Sequence, residues 1–204
     1  MPKFSLAAML AMLAAAPAFA ATYEINPKHT QVQFTWNHFG FSNPVGLFGG
    51  VTGKLVFDPD DPTRSSVEAA IPVKTVNTNI EVLDKHLRSA DYLDAAKFPK
   101  ITFKSTRVAR GATPDKLVVT GDLTLHGVTR PVTLDVTVNK IGDYPTRKVV
   151  AAGFDATAVI KRSEFGITRF VPKISDDIRI RITTETFPEG ASKLPETGIP
   201  PRKS

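Results

Sequence analysis

Hydrophobic and polar residues alternate along most of this chain, and this period of two constrains its fold more than any other feature. In the first such segment, Val32, Phe34 and Trp36 would share one face of an extended chain. Such alternation predicts a half-buried β-strand. The full set of alternating segments is His29 to His38; Leu55 and Phe57; Val67, Ala69 and Ile71; Ile101 and Phe103; Leu117 to Leu125; Val132 to Val138; Val149 to Ile160; and Ile178 to Ile182. Because Gly, Pro, Asn or Asp separates them, we expect about eight strands.

Short connections between these segments require antiparallel pairing. The segment that ends at Leu125 is joined to the one that begins at Val132 by a turn at His126-Gly127-Val128, which is too short for a parallel crossover. Strands with one apolar face fit either a closed barrel or a sandwich, since both bury one side of each strand. The alternation therefore predicts an all-β antiparallel fold and leaves these two architectures open.

One segment departs from the period of two and predicts a helical excursion over about residues 81–97. Side chains near one side of this helix are Val82, Leu83, His86, Leu87, Ala90 and Leu93. We expect two short helices, of which the second begins with Asp91 as its N-cap. Asp84 and Arg88 are expected to pair on the opposite side at i,i+4 spacing. An eight-stranded barrel has room for side chains or one slender molecule, and a helix over its end would serve as a lid.

The glycine-rich segment 37–53 also lacks the alternation. It carries Phe39, Phe41, Leu47 and Phe48, and a loop this apolar has to bury its side chains somewhere. Two interpretations stay open: a plug that completes the core, and an aromatic gate over a cavity. The chain has thirteen Phe against one Trp and three Tyr, so a cavity would be lined by rings without hydroxyl groups and would suit hydrocarbon.

The N-terminus has the pattern of a secretory signal peptide over residues 1–20. Lys3 supplies the positive charge, a largely apolar stretch follows, and Ala18-Phe19-Ala20 has the small-x-small form of a cleavage site. The apolar stretch is shorter than the roughly 20 residues that a membrane-spanning helix needs. We therefore expect cleavage before Ala21, export to the periplasm, and no transmembrane segment in the mature protein. Residues 187–204 are rich in Pro, Gly, Ser and charge, which predicts a disordered tail after a single domain at 21–186.

Composition argues against several classes of protein. The net charge of +6 is spread along the chain and falls to +5 once Lys3 is removed, which does not indicate nucleic-acid binding. There is no cysteine, so disulfides, thiolate nucleophiles and covalent haem attachment are excluded. The four histidines lack His-x-His and His-Glu-x-x-His spacing, and no Gly-x-Ser-x-Gly motif occurs. We expect no metal, no cofactor and no catalytic residue.

Six ordered motifs give the chain a specific resemblance. They are Trp36 and His38 after a strand; Gly46-x-Phe48-x-Gly50; Asp84-Lys85-His86-Leu87-Arg88-Ser89; Phe98 to Thr106; Gly121 to Val132; and Arg162-Ser163-Glu164-Phe165-Gly166-Ile167. In this order, from Thr22 to about Glu185, the chain resembles the YceI family of periplasmic proteins. The resemblance implies an extended lipocalin-like barrel whose tunnel accommodates a polyisoprenoid chain with its polar head near the opening.

Candidate ligand-binding residues follow from the inward faces, the irregular segments and the resemblance. Those expected to line the apolar tunnel are Phe34, Trp36, Phe39, Phe41, Phe48, Leu83, Leu87, Phe103, Leu123, Leu125, Leu134, Val136, Phe165 and Phe170. Candidates for an anionic head group are His38, His86, Arg88 and Arg162. Each of these four has the alternative of a structural hydrogen bond or ion pair.

Two other functions stay open at this stage. The same tunnel would serve an enzyme acting on a lipid or quinone-like compound, and the chain would also suit an interaction module beside a membrane redox partner. Transport, storage and stress protection stay open as biological roles, and a homodimer stays open as an assembly.

Overall fold

A computed structural model describes residues 20–191 of the chain. Within this range the protein has one α-helix, α1 (Glu81–Arg88), three short 3-10 helices, and ten strands that pair antiparallel throughout. The strands are β1 (Ala21–Ile25), β2 (Gln31–Thr35), β3 (Val45–Phe48), β4 (Thr52–Phe57), β5 (Ser66–Pro72), β6 (Lys100–Arg110), β7 (Lys116–Leu125), β8 (Val128–Asp143), β9 (Val150–Lys161) and β10 (Asp177–Pro188).

The sheet closes into a barrel of eight strands. Its order is β1, β4, β5, β6, β7, β8, β9 and β10, and pairing between β1 and β10 completes the ring. The remaining two strands, β2 and β3, do not add further positions to the ring. One edge of β10 pairs with β2 through residues 179–183 and with β1 through residues 186–188, so β1 and β2 follow each other along it. The predicted all-β, eight-stranded antiparallel barrel is confirmed.

Side-chain alternation accounts for the strands, as β9 illustrates. Phe154, Ala156, Ala158 and Ile160 are buried on its inner face, whereas Thr157 and Val159 are exposed on its outer face. Since the period of a strand is two, each inward residue is followed by an outward one. Along regular stretches of strand the barrel interior is therefore built from every second residue, as the alternation predicts, and register shifts interrupt this order at Ser105/Arg107 in β6 and Val138/Lys140 in β8.

The segment 37–53 is more regular than expected. Val45–Phe48 forms β3, which pairs with β2 in the register Phe34 to Gly46, and β4 begins at Thr52. The far edge of β3 is also used, because Leu47 and Asn77 exchange two backbone hydrogen bonds of 2.9 Å. A Cβ atom at residue 46 would collide with the ring of Phe34. Gly46 therefore lets this ring lie flat across the backbone of the neighbouring strand.

The helical excursion is half as long as predicted. Helix α1 ends at Arg88, and the expected second helix after Asp91 is wrong, since residues 90–97 form turns. Asp94 adopts a left-handed φ of 45° and its N–H donates to the Ser89 carbonyl, which reverses the chain. The Asp91 carboxylate accepts from Arg169 at 2.6 Å instead of capping a helix.

The predicted ion pair between Asp84 and Arg88 is also wrong. The Asp84 carboxylate accepts from the backbone N–H and the hydroxyl of Thr78, both at 2.7 Å. The Arg88 guanidinium donates to the Val76 carbonyl at 3.3 Å. Both side chains thus tie α1 to the segment before it, and the helix carries instead an exposed pair of Lys85 with Glu81 at 2.8 Å.

The folded part of the chain extends past the predicted boundary at residue 186. Phe187 is buried within β10, where its ring lies 4.8 Å from that of Tyr144 and beneath the guanidinium of Arg147. Ala191 is buried as well. The predicted signal peptide, apart from Ala20, and tail residues 192–204 lie outside the described residues. Among the described residues, no helix combines the length and apolar character that crossing a bilayer requires.

Candidate ligand cavity

The inward residues of the barrel do not meet at its centre, and they enclose a cavity of about 720 Å³. Ile178, Ile180 and Ile182 point inward from the middle of β10, yet all three keep part of their surface accessible. A close-packed interior leaves no such surface. The volume falls within the range of about 300–1,000 Å³ typical of ligand pockets.

Aliphatic and aromatic side chains form the cavity wall almost throughout. Phe34 contributes stacked rings with Trp36 at 5.7 Å and tilted rings with Phe48 at 5.0 Å. Further wall residues include Val32, Val51, Leu55, Val67, Ile71, Ile101, Val119, Val132, Ala156, Ile160 and Ile167. Such a wall offers dispersion contacts and excludes water, which suits a hydrocarbon chain.

Four hydroxyl groups in the deeper part of the cavity form hydrogen bonds within the protein, whereas that of Ser66 is exposed and forms none among the described residues. The hydroxyls of Thr30 and Thr184 lie 2.7 Å apart, and that of Thr186 donates to the Ala152 carbonyl at 2.9 Å. The Ser65 hydroxyl accepts from the backbone N–H of Asp58. These groups make no demand on a ligand, so this end remains compatible with an apolar terminus.

The cavity meets solvent at the end that carries α1. The exposed wall residues with aromatic, aliphatic or imidazole side chains all lie at this end. They come from α1, from the residue just before it and from two loops, and they are His38, Phe39, Ile80, His86 and Phe170. We call this end the mouth. The loops are held together because His38 forms backbone bridges with both Ser42 and Ile174.

Most of the residues predicted to line the tunnel do border the cavity. These are Phe34, Trp36, Phe39, Phe48, Leu83, Leu87, Phe103, Leu123, Leu125, Leu134, Val136 and Phe170. Phe41 is instead 92% exposed at the tip of the loop before β3, because the turn at Phe39-Gly40 directs it away from the barrel. Phe165 is fully buried in the packed core beside the cavity. These two placements correct the prediction that both line the tunnel.

Of the four candidates for a head group, His38, His86 and Arg162 border the cavity and Arg88 does not. Arg88 is turned toward the Val76 carbonyl, as described above. Neither the His38 nor the His86 imidazole forms a hydrogen bond or ion pair within residues 20–191, and the His38 ring makes only an edge contact with Phe39 at 4.7 Å. Two imidazoles at the mouth are thus available to a polar group.

Arg162 is mainly committed to the fold. Its guanidinium donates to the carbonyls of Ser175 at 2.9 Å, Ile174 at 3.0 Å and Ile167 at 3.1 Å. Burial lowers the pKa of this guanidinium, although the charge of Asp176 opposes the effect. The three carbonyls belong to the segment that carries Phe170, so Arg162 acts as a positioning residue for one side of the mouth.

Several wall residues were not among the candidates named from the sequence. Ile178, Ile180, Ile182 and Ala156 lie on predicted inward faces, so the alternation that identified the strands could have identified them. Tyr92 comes from a turn and Ile174 from an isolated bridge with His38, where no periodicity indicates direction. Within residues 20–191 no group of three or more His, Asp or Glu side chains is arranged to hold a metal ion.

Comparison with known proteins gives consistent matches along the chain. The family model described as YceI-like domain matches residues 23–186. Protein YceI of Salmonella arizonae and that of Salmonella paratyphi B are each 39% identical over 184 residues, which covers 89% of this chain and 94% of each relative.

Solved structures share the fold. BcnA of Burkholderia cenocepacia has a TM-score of 0.69 at 24% identity and covers 76% of this chain and 95% of its own. The Campylobacter jejuni YCEI protein has a TM-score of 0.65 at 28% identity, with 74% and 88% covered. A polyisoprenoid binding domain from Saccharophagus degradans, implicated in plant cell wall breakdown, has a TM-score of 0.60 at 16% identity, with 83% and 99% covered.

Proposed function

Because this chain belongs to the YceI-like family, we propose that it is a periplasmic carrier that holds a long isoprenoid lipid, polyprenyl or quinone-like, inside its barrel. The observation that carries the proposal is the apolar cavity of about 720 Å³ in a barrel that its own side chains leave unfilled. The structural relative from Saccharophagus degradans is described as a polyisoprenoid binding domain, which supports this class of ligand.

The energetics of burial favour such a ligand. Each CH₂ group moved from water into an apolar site contributes about 0.8 kcal/mol. On that scale, about four isoprene units suffice for micromolar affinity after the cost of association. Few polar contacts are then required, and the wall of this cavity offers few.

The orientation of the ligand follows from where polar groups remain available. We infer that the hydrocarbon occupies the deep end, where Thr30 and Thr184 satisfy each other. The head group lies at the mouth between His38 and His86, whose imidazoles have no partner within the described residues. Replacing either histidine by alanine would weaken retention of a phosphorylated lipid more than retention of the corresponding alcohol.

Export to the periplasm is part of the proposal. The small-x-small sequence at Ala18-Phe19-Ala20 supports it, and β1 begins at Ala21, directly after the proposed cleavage site. Cleavage there would leave the first strand of the barrel complete. N-terminal sequencing of the protein isolated from its host would test this position.

Organic extraction of the protein purified from its native periplasm, followed by mass spectrometry, tests the carrier function. We expect stoichiometric isoprenoid lipid from the unaltered protein. Ala156→Trp places a large ring in the cavity and should reduce bound lipid about tenfold or more, whereas Thr157→Trp places the same ring outside the barrel and should not. Repeated recovery of an empty protein, or equal lipid in both variants, would rule the proposal out.

A further inference from the structure

Exposed apolar side chains gather around the mouth of the cavity. Of the nine large hydrophobic residues exposed in the described chain, three lie away from the mouth: Val159 on the outer barrel wall, and Ile141 and Val150 at the far end of β8 and β9. The other six lie in α1, in the residue before it, in the two mouth loops or at the start of β3, and we call them the mouth rim: Phe39, Phe41, Val45, Ile80, Val82 and Phe170. Phe41 is the most exposed of them, at 92%. Rings left in water next to an apolar cavity indicate a surface that meets another apolar phase.

The backbone presents these rings outward in a fixed arrangement. Phe39 and Phe170 have φ values of 55° and 61°, a left-handed conformation that bulky residues rarely adopt. The two rings lie 6.2 Å apart. A turn in which the Phe41 N–H donates to the His38 carbonyl at 3.0 Å projects Phe41 beyond them. Unfavourable backbone conformations at two neighbouring rings are typical of a functional surface.

Charge is distributed unevenly between the two ends of the barrel. The segments that form the mouth half, residues 36–52, 71–101, 123–131 and 160–179, contain eleven Lys and Arg against seven Asp and Glu, a net charge of +4. The rest of residues 20–191 contains eleven basic and twelve acidic residues, a net charge of −1. Lys97 and Lys173, both exposed near the mouth, form no ion pair with another described residue.

We infer that the mouth rim docks on the surface of an anionic lipid bilayer. Phe41 and its neighbouring rings enter the interface between headgroups and acyl chains, and the lysines around them contact the headgroups. A second copy of the chain is a poorer occupant, because two mouths that each carry +4 would repel each other. The inference rests on the proposed function, since a carrier of a water-insoluble chain has to exchange it with a membrane.

Co-sedimentation of the full mature chain with vesicles tests this surface. Vesicles of phosphatidylethanolamine with phosphatidylglycerol should bind the protein, and vesicles of phosphatidylcholine alone should bind it less. Phe41→Ser should weaken binding about tenfold, because it removes one inserted ring. Val159→Ser is the matched control, as Val159 is 58% exposed on the barrel wall, and it should bind like the unaltered protein. Lys97→Glu combined with Lys173→Glu should abolish the preference for anionic vesicles.

The inference would be overturned if the unaltered protein did not bind anionic vesicles, or if the Phe41 and Val159 variants lost binding equally. A dimer in sedimentation velocity that Phe41→Ser dissociates would also overturn it and assign the rim to self-association. Phe41 does not border the cavity, so lipid loaded from detergent should be retained by its variant. Failure of docking with lipid still retained separates this inference from the proposed carrier function.

Discussion

At the scale of single residues, the Arg162 side chain stabilises the fold through hydrogen bonds to backbone carbonyls. It is buried, and its guanidinium satisfies three carbonyls that would otherwise lack donors on one side of the mouth. We predict that Arg162→Leu lowers the free energy of unfolding by about 3 kcal/mol or more, because each buried carbonyl left unsatisfied costs about 1–3 kcal/mol. Urea unfolding of lipid-free protein measures this.

The control for this prediction is Arg181→Leu. Arg181 is exposed and its pair with Asp155 is long, at 3.6 Å, so its loss should change stability by less than about 1 kcal/mol. Equal effects of the two substitutions would show that the three carbonyl contacts of Arg162 contribute little.

Gly46 and Gly121 both lie under phenylalanine rings, yet we predict different consequences for their replacement. The three atoms nearest to a Cβ at Gly46 all belong to the ring of Phe34, which borders the cavity and can move into it. Gly46→Ala should therefore cost less than about 1 kcal/mol of stability while weakening retention of a hydrocarbon probe several-fold. Fluorescence titration and urea unfolding of the same preparations measure the two effects.

Gly121 gives the contrasting case. A Cβ there lies 2.5 Å from the Lys104 carbonyl oxygen as well as 2.5 Å from the Phe103 ring, and a paired backbone cannot retreat as a ring can. Gly121→Ala should cost about 1–3 kcal/mol. A Gly46 variant that is just as unstable would indicate that Phe34 has no space to enter.

At the scale of elements, the turn after β4 contains a carboxylate with three hydrogen-bond donors. Asp58 accepts from the N–H groups of Asp61 at 2.9 Å and Asp60 at 3.0 Å and from the Arg64 guanidinium. The Asp61 N–H, followed by Arg64, lowers the pKa of Asp58 against the opposing effect of burial. A carboxyl whose pKa is lower in the folded state stabilises the fold above its unfolded pKa of about 4.

This contribution should disappear as the pH falls from about 4 through the lowered pKa of Asp58. We predict that the urea midpoint of the unaltered protein declines over this interval and that Asp58→Asn is less stable at neutral pH but declines less steeply. Asp60→Asn, at an exposed neighbouring position, should keep the original pH dependence. A parallel decline in all three proteins would contradict the role of Asp58.

Elements with a strong period were predictable from the sequence, and those fixed by tertiary contacts were not. The long strands β7, β9 and β10 follow the alternation over most of their length because one face of each meets the interior, whereas register shifts interrupt β6 at Ser105/Arg107 and β8 at Val138/Lys140. β1 and β3 are five and four residues long, too short for a period to stand out. The prediction of a second helix is wrong because Asp91, its expected N-cap, pairs with Arg169, which lies 78 positions away in the sequence.

In the candidate site, too, residues on strands were predictable from the sequence, whereas residues placed by tertiary contacts were not. Wall residues on strands could be named from the inward face, but Phe41 and Phe165 come from a loop and a 3-10 helix, where residue type does not determine direction. The sequence shows the charge of Arg162, which made this residue a candidate ligand for an anion. The sequence does not show its three carbonyl partners, which residues 167–175 contribute through tertiary contacts.

For the molecule as a whole, an unfilled interior means that a ligand bound inside it would add to the stability of the fold. A ligand that binds only the folded state at about 100 times its Kd adds about 2.7 kcal/mol. For a domain of this size that corresponds to a rise in Tm of roughly 5–10 °C. We predict that removal of lipid lowers Tm by this amount and that re-addition restores it, as measured by calorimetry. Ala156→Trp, whose ring occupies the space itself, should show no such shift, and a shift of equal size in this variant would place the stabilising ligand elsewhere.

The junction of β1 with β10 joins the earliest strand of the barrel to the latest, through contacts such as Tyr23 with Pro188. Synthesis has to reach that proline before the ring can form, and such distant pairings make folding slow. Until then both open edges remain unpaired and prone to wrong association. The barrel of such a chain therefore stays open until synthesis is nearly complete. A chain that has to pass through a narrow channel before it folds must meet this same condition.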